Sequence, residues 1–200
     1  MDRTLSRQSA QHISQVALFA ALLAVLGLIP KIDLPFGVPI TAQSLGIMLA
    51  GCLLGPWRGF QAVLLFVVAA ALGLPVLSGG RGGLAPFMAP SAGYLYGYAA
   101  AAFVIGWMML MLPRAHTAGR MAANAFIASM AGGLVFLHLT GIIGLTIFAD
   151  MTFDKAFLAD LAFVPGDTIK ALLCALIVHT VARALPDWPF PGSESRATRR

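Results

Sequence analysis

Six long apolar segments run along the chain, separated by short connections that contain glycine, proline or charged residues. A bilayer core of about 30 Å is crossed by about 20 residues of α-helix. The pattern therefore predicts an all-α integral membrane protein: a bundle of six transmembrane helices over residues 13–185, between a cytoplasmic N-terminal tail at 1–12 and a disordered cytoplasmic tail at 186–200. The segments are 13–29, 40–54, 60–74, 93–112, 121–148 and 166–185.

The lengths of these segments are uneven. The second and third are short for a bilayer, so we expect them either to borrow residues from their flanks or to be shielded by neighbouring helices. The fifth is too long for a straight span and should tilt, or bend near Gly132 and Gly133.

The composition supports membrane insertion. Hydrophobic residues make up 59% of the 200 positions, charged residues only 10%, and the mean hydropathy is +0.86. A soluble domain has about a quarter charged residues, so this chain lacks the polar surface that water requires. The first segment lacks a convincing cleavage site after it, which indicates a retained span rather than a signal peptide.

The distribution of basic residues predicts the orientation. With the N-terminus in the cytoplasm, the outer loops hold only Lys31, Arg81 and Lys155, together with four aspartates that include Asp150 and Asp160. This bias places both termini in the cytoplasm and accounts for the net charge of +5 through contacts with anionic lipid, without a nucleic-acid site. The cytoplasmic residues are Arg3, Arg7, Arg58, Arg114, Arg120, Arg183, Arg196, Arg199 and Arg200.

Buried cysteines and histidines offer little chemistry at the level of sequence. Cys52 and Cys174 lie in apolar runs without a CxxC pattern, so neither a metal site nor a redox pair is indicated. His138 and His179 lie deep in spans, without an HExxH motif or an acidic neighbour in sequence. We expect hydrogen bonds between helices for them, and an intramembrane enzyme is disfavoured.

An acid and a base stand at the start of the sixth segment. Asp167 and Lys170 are three positions apart, on one helix face, directly after Pro165-Gly166, which should break the chain before the helix. Charges inside a span are costly and usually mark function. The alternative is structural: Asp167 as the N-cap of the helix and Lys170 as its snorkelling partner.

The longest outer connection, between the third and fourth segments, contains paired glycines on both sides of Arg81. Gly79, Gly80 and Gly82 permit sharp turns and a close approach of the backbone to a ligand. The pattern GxxxxGK[ST] is absent from the chain, so this loop is not a nucleotide-binding P-loop. Apolar residues on both sides suggest a loop packed as a lid, and a plain flexible loop is the alternative.

Other candidate positions are weaker. Gln43 lies early in the second segment and Tyr94 early in the fourth, at a depth similar to that of Asp167, although tyrosine is also common at membrane interfaces. The first segment carries interleaved small residues that would let another helix come close, either within the bundle or from a partner subunit. These are Ala17, Ala20, Ala21 and Ala24.

Five motifs in order make the chain resemble the BioY family, the biotin-binding S components of energy-coupling-factor (ECF) transporters. The similarity covers residues 13–185. The motifs are VPITAQSLGIMLAG at 38–51, LLGPWRG at 53–59, ALGLPVLSGGRGG at 71–83, PSAGYLYGY at 90–98 and FVPGDTIKA at 163–171.

The resemblance implies a six-helix bundle in the bacterial cytoplasmic membrane that captures biotin from outside. It implies as partners a transmembrane coupling subunit, docked on the alanine face of the first span, and two ATP-binding-cassette subunits that use the ATP. No cofactor or metal of the chain's own and no enzymatic activity are expected. Because some members of the family work without a dedicated coupling subunit, a self-sufficient biotin transporter, which could be a homo-oligomer, stands as the alternative.

The resemblance also assigns roles at the binding site. Asp167 would accept the N–H groups of the biotin ureido ring, and Lys170 would donate to its carbonyl. From their positions in the sequence, rather than from the resemblance, Arg81 and the amides of the glycine loop (residues 79–83) would meet the carboxylate, and Gln43 and Tyr94 would orient the ring. The opposite placement of ligand head and tail stays open.

Overall fold

The computed structural model describes residues 2–34, 37–186 and 188–191, with side chains from residue 10 onward. Most of the expected tail at 186–200 therefore lies outside the described residues. The extended secondary-structure elements of the described residues are all helical: α1 Asp2–Leu26, α2 Gln43–Leu54, α3 Pro56–Ala71, a 3-10 turn Ala85–Phe87, α4 Ala92–Met111, α5 Ala118–Ala128, a π-helical segment Ser129–Phe136, α6 Leu137–Phe148, α7 Phe153–Asp160 and α8 Val164–Ala184.

Each of the six apolar segments contains a helix, and three of these helices are long and apolar enough to cross a membrane. They are Ala92–Met111, the continuous rod Ala118–Phe148 and Val164–Ala184, whereas the apolar helices at 10–26, 43–54 and 56–71 are shorter. Large apolar side chains such as Leu172 and Leu176 of α8 are exposed on the outside of the bundle, where lipid tails would meet them. The chain is a multi-pass membrane protein.

Shielding explains how the short second helix is tolerated. α2 keeps only 12 residues, but nearly all of them are buried, because α3, α4 and α8 pack around it. Since little of α2 faces the surroundings, its short length leaves little backbone exposed to lipid. Of the two explanations offered by the sequence, burial by neighbours is the one observed.

Glycines bring α4 and α6 into close contact. The α-carbon of Gly93 packs directly against Gly144, so that a β-carbon on either residue would collide with the other backbone. One turn away along α6, Gly141 leaves room for the ring of Tyr94. Small residues at a crossing allow helices in a membrane to approach backbone to backbone, and here they set the position of the Tyr94 side chain.

The overlong fifth segment is interrupted by the π-helical segment Ser129–Phe136, which contains Gly132 and Gly133. Gly132 packs against Ile105 of α4, and Gly133 against Met48 of α2. The irregularity thus falls at the pair of glycines where the sequence predicted a bend. π-Helical segments frequently lie at functional sites, and His138 follows this one in α6.

One expectation about the last span is wrong. The sequence predicted a break at Pro165-Gly166, but both residues lie in the first turn of α8, which begins at Val164 with Phe163 as its N-cap. Proline is favoured in the first turn because the N–H group that it lacks has no helical partner there. The region preceding it, read as an outer loop, contains the short helix α7.

Candidate ligand-binding site

A cavity lies among α2, α4, α6 and α8, near the N-terminal ends of α2, α4 and α8. Its apolar walls are Val38, Pro39, Leu77, Leu95, Leu137 and Phe163. Its polar residues are Thr41, Gln43, Ser44, Arg81, Ser91, Tyr94, Tyr98, His138, Asp167 and Lys170. A cavity that combines apolar walls with convergent polar groups is typical of a small-molecule site, and here the polar groups are in the majority.

Asp167 and Lys170 form a buried ion pair on one wall of this cavity. The Lys170 Nζ atom donates to Asp167 Oδ1 at 2.7 Å and to Ser44 Oγ at 2.9 Å. The Ser44 hydroxyl in turn donates to Asp167 Oδ1 at 2.9 Å, so that α2 and α8 are joined by a closed ring of three hydrogen bonds. The side chains of Asp167 and Lys170 are only 8% and 14% exposed.

This geometry excludes the structural alternative for the pair. Asp167 is not the N-cap of α8, since its own backbone N–H already donates to Phe163 at 2.9 Å within the first turn. Its carboxylate binds side chains of three other residues, and Lys170 turns toward the carboxylate rather than toward a membrane surface. The pair therefore belongs to the cavity.

His138 connects Asp167 to a second buried carboxylate. Its Nε2 atom lies 3.0 Å from Asp167 Oδ2, and its Nδ1 atom lies 2.8 Å from Asp160 Oδ2. The Tyr94 hydroxyl donates to the other oxygen of Asp160 at 2.6 Å. The chain from Tyr94 to Lys170 thus joins α4, α7, α6 and α8, and the expectation that His138 makes hydrogen bonds between helices is confirmed.

Asp160 is a buried residue, which the sequence did not predict. It was counted among the acids of the outer loops, but it is the last residue of α7 and is only 3% exposed. His138, which has no acidic neighbour in sequence, has two in space. The sequence offered no signal for this contact, because Asp160 and His138 come from separate elements.

Gln43 connects the cavity to the glycine loop. Its amide nitrogen donates to the carbonyls of Leu23 and Val76 at 3.2 and 3.0 Å, and its oxygen accepts the N–H of Ser78 at 3.3 Å. The side chain is 2% exposed, and these three bonds engage both of its polar atoms. Gln43 thereby holds the start of the loop against α1 and α2.

The glycine loop forms a tight turn beside the cavity. Leu77 and Arg81 pair through two backbone hydrogen bonds of 3.0 and 3.2 Å, and Gly79 and Gly80 form the turn between them with positive φ angles of 79° and 70°. Leu77 is buried and, together with Arg81, lines the cavity. The loop is thus packed at Leu77 and Ser78, whereas Gly79 and Gly80 are exposed, and its role as a lid stays a prediction.

The structure brings together most of the sequence-derived candidates. The charged pair, Arg81, Gln43 and Tyr94 all line the cavity, whereas Gly79, Gly80 and Gly82 shape the loop without lining it. Ser44, adjacent to Gln43 in a motif already singled out, was missed.

The alanine face of α1 is split between two environments. Ala17 and Ala21 are exposed, whereas Ala20 and Ala24 are partly buried against the core of the bundle. The exposed pair leaves a smooth strip on the surface of α1, and the other pair serves internal packing.

Together these features define a helical multi-pass membrane protein with a cavity of a kind that binds small molecules, lined by both apolar and polar residues. The chain belongs to the BioY family, whose family model matches residues 1–187. The resemblance based on the five motifs is thus confirmed.

Similar proteins agree with this assignment. "Biotin transporter BioY" of Rhizobium etli is 47% identical over 183 residues, which cover 90% of this chain and 98% of that protein. "Biotin transporter BioY" of Rhodobacter capsulatus is 42% identical over 185 residues, which cover 88% and 95%. These relatives are transporters, in line with the expectation that the chain is not an enzyme.

A solved structure supports the same fold. The S-component for biotin from an ECF-type ABC transporter matches with a TM-score of 0.79 and 32% identity, over 92% of this chain and 95% of that one. The chain therefore has the fold of an ECF S-component.

Proposed function

We propose that this chain captures biotin in the cavity and supports its uptake across the bacterial cytoplasmic membrane as the substrate-binding subunit of an ECF transporter. The observation that carries the proposal is the buried Asp167–Lys170 pair in a chain of the BioY family. A charge pair enclosed by protein can bind the polar head of a vitamin strongly, because few water molecules compete.

The hydrogen bonds already made limit what the pair can offer to the ligand. A carboxylate has about four acceptor positions, and Asp167 uses two on Oδ1 and one on Oδ2. It can therefore accept one further N–H group without losing a partner. Lys170 has three N–H groups and uses two, so it can donate one.

A ureido ring fits these two open positions. One ring N–H would donate to Asp167 Oδ2, and the ring carbonyl would accept a hydrogen bond from Lys170. The two residues would then contact the same edge of the ring. Asp167 would thus accept one N–H group of the ureido ring, whereas the sequence analysis expected it to accept both. The second N–H would need an acceptor elsewhere in the cavity.

Arg81 is the proposed partner of the biotin carboxylate. Its Nε atom donates to the Ser78 carbonyl at 3.2 Å, which orients the guanidinium at the rim of the cavity. Tyr94 and Gln43 would act mainly by shaping the cavity, since their polar atoms are engaged with Asp160 and the loop. Gly79, Gly80 and Gly82 would allow the loop to close over the ligand.

The energising partners belong to the same proposal. We infer six spans with both termini in the cytoplasm, supported by the distribution of basic residues. The exposed strip of Ala17 and Ala21, flanked by Ala20 and Ala24, would receive the coupling subunit, and that subunit's ATPases would use the ATP. The chain itself would need no cofactor.

Titration of the purified protein with labelled biotin tests the proposal, with desthiobiotin and lipoate as competitors. Desthiobiotin retains the ureido ring, whereas lipoate shares the carboxylate tail but lacks that ring. We expect saturable binding that desthiobiotin displaces far better than lipoate. Absence of saturable binding, or equal displacement by both competitors, would contradict the proposal.

Uptake into liposomes tests the partner requirement separately. With the chain alone, no accumulation is expected, whereas accumulation should follow addition of the coupling subunit, the ATPases and ATP. Accumulation by the chain alone would instead favour the self-sufficient, oligomeric transporter.

A further inference from the structure

Two carboxylates face the same histidine ring inside the bundle. Asp160 and Asp167 each place an oxygen within 3.0 Å of a different ring nitrogen of His138. An imidazole can donate to both carboxylates at once only when both of its nitrogens carry a proton. The arrangement is then neutral: two carboxylates, one imidazolium and the ammonium of Lys170.

Asp160 occupies a position that is unfavourable for an acid. It is the last residue of α7, at the negative end of the helix dipole, and it is almost fully buried. A buried carboxylate at such a site requires compensation. The compensation comes from the His138 ring at 2.8 Å and the Tyr94 hydroxyl at 2.6 Å.

Lys170 makes no use of Asp160, because its ammonium group already donates hydrogen bonds to Asp167 and Ser44. What the pair of His138 and Asp160 adds is a fixed donor on Oδ2 of Asp167. Together with the two bonds on Oδ1, that donor fixes the rotation of the carboxylate, and it occupies one acceptor position of Oδ2, which leaves a single defined position for a ligand.

We propose that His138 and Asp160 are positioning residues that orient the Asp167 carboxylate for the ligand, with His138 as a cation held between two carboxylates. The proposal rests on the proposed function, since it assigns residues that act through the ligand-binding Asp167. In this proposal α7, a helix outside the predicted spans, contributes to the biotin affinity through Asp160.

Two single substitutions with matched controls test the proposal by titration with labelled biotin. We expect H138Q and D160N each to weaken biotin binding by about 10- to 100-fold, the effect of losing a hydrogen bond to a charged group. H179Q, on half-buried His179 of α8 outside the cavity, and D154N, on exposed Asp154 of α7, should bind as the wild type does. A loss below about tenfold in either test variant overturns the proposal.

The double variant H138Q/D160N separates positioning from a merely structural role. Each single substitution leaves one unbalanced charge, whereas the double variant restores neutrality, and an amide at 138 can donate to Asp167 while accepting from an amide at 160. The double variant should therefore bind biotin more tightly than H138Q alone. Equal or weaker binding would show that the losses accumulate as packing defects do, and would overturn the proposal.

A measurement without substitution at the site covers the case in which these variants fail to fold. In H12Q/H116Q/H179Q, His138 is the sole histidine, and a ¹⁵N spectrum reports the protonation of each ring nitrogen. Protonation of both nitrogens supports the proposal, and protonation of one nitrogen alone overturns it. Wild-type protein that binds no biotin would refute the proposed function instead, and this spectrum would still test the cation.

Discussion

The Lys170 ammonium nitrogen lies 2.7 Å from Oδ1 of Asp167, one helical turn away, and both side chains are largely enclosed by protein. A second pair of the same composition, Lys31 and Asp33, is equally short at 2.6 Å, but its side chains are 28% and 68% exposed. Burial rather than distance distinguishes the two, because water screens the exposed pair. The exposed pair of Lys31 and Asp33 therefore serves as a control for the buried pair of Lys170 and Asp167.

Asp167→Asn and Lys170→Ala should each weaken biotin binding by about 2–5 kcal/mol, since each leaves a buried partner without its counter-charge. Titration of the purified variants with labelled biotin measures the loss. The controls Asp33→Asn and Lys31→Ala should change the binding free energy by less than about 1 kcal/mol. Wild-type affinity in both test variants would reject the roles assigned to the pair.

Gln43→Leu should loosen the glycine loop. The substitution removes three hydrogen bonds and leaves the buried Ser78 N–H and the Leu23 and Val76 carbonyls without this partner. We expect a loss of about 2 kcal/mol or more in the free energy of unfolding, together with faster amide hydrogen exchange at residues 76–81. The matched variant Gln61→Leu, on an exposed position of α3, should change neither property. Unaltered exchange in the loop would argue against this role of Gln43.

Gly141→Ala should displace the Tyr94 ring. A β-carbon at position 141 would overlap the aromatic carbons of Tyr94, whose hydroxyl donates to Asp160. Overpacking of this kind costs about 1–3 kcal/mol, so we expect a lower melting temperature and weaker biotin binding. Gly119→Ala on α5, where a β-carbon meets open space, should leave both unchanged. Equal behaviour of the two variants would refute the close contact.

Ala17→Trp should spare biotin binding and prevent association with the coupling subunit. Ala17 is exposed on α1 and does not line the cavity, so a bulky ring there changes the surface of α1 without reaching the ligand. Copurification with the coupling subunit and titration with biotin measure the two effects. Ala123→Trp, on an exposed position of α5, is the control for bulk. A normal complement of coupling subunit on Ala17→Trp would contradict the docking surface.

The placement of the helices was predictable because insertion into a bilayer depends on local hydrophobicity. Runs of apolar residues located all six apolar helices, and the pair of glycines located the irregular segment in the fifth. Helix ends were less predictable: the sequence interpretation put Pro165-Gly166 outside α8, and α7 was missed. Short helices and first turns depend on packing more than on composition.

The sequence by itself determined that the chain is a helical membrane protein and that its last span begins with an acid and a base on one helix face, because both follow from residues close together along the chain. Only the tertiary structure decided the partners of that acid. Ser44 is 123 positions away from Asp167, and Asp160 is 22 positions away from His138. Such contacts depend on how whole helices pack against one another, and no local pattern of hydrophobic and polar residues contains that information.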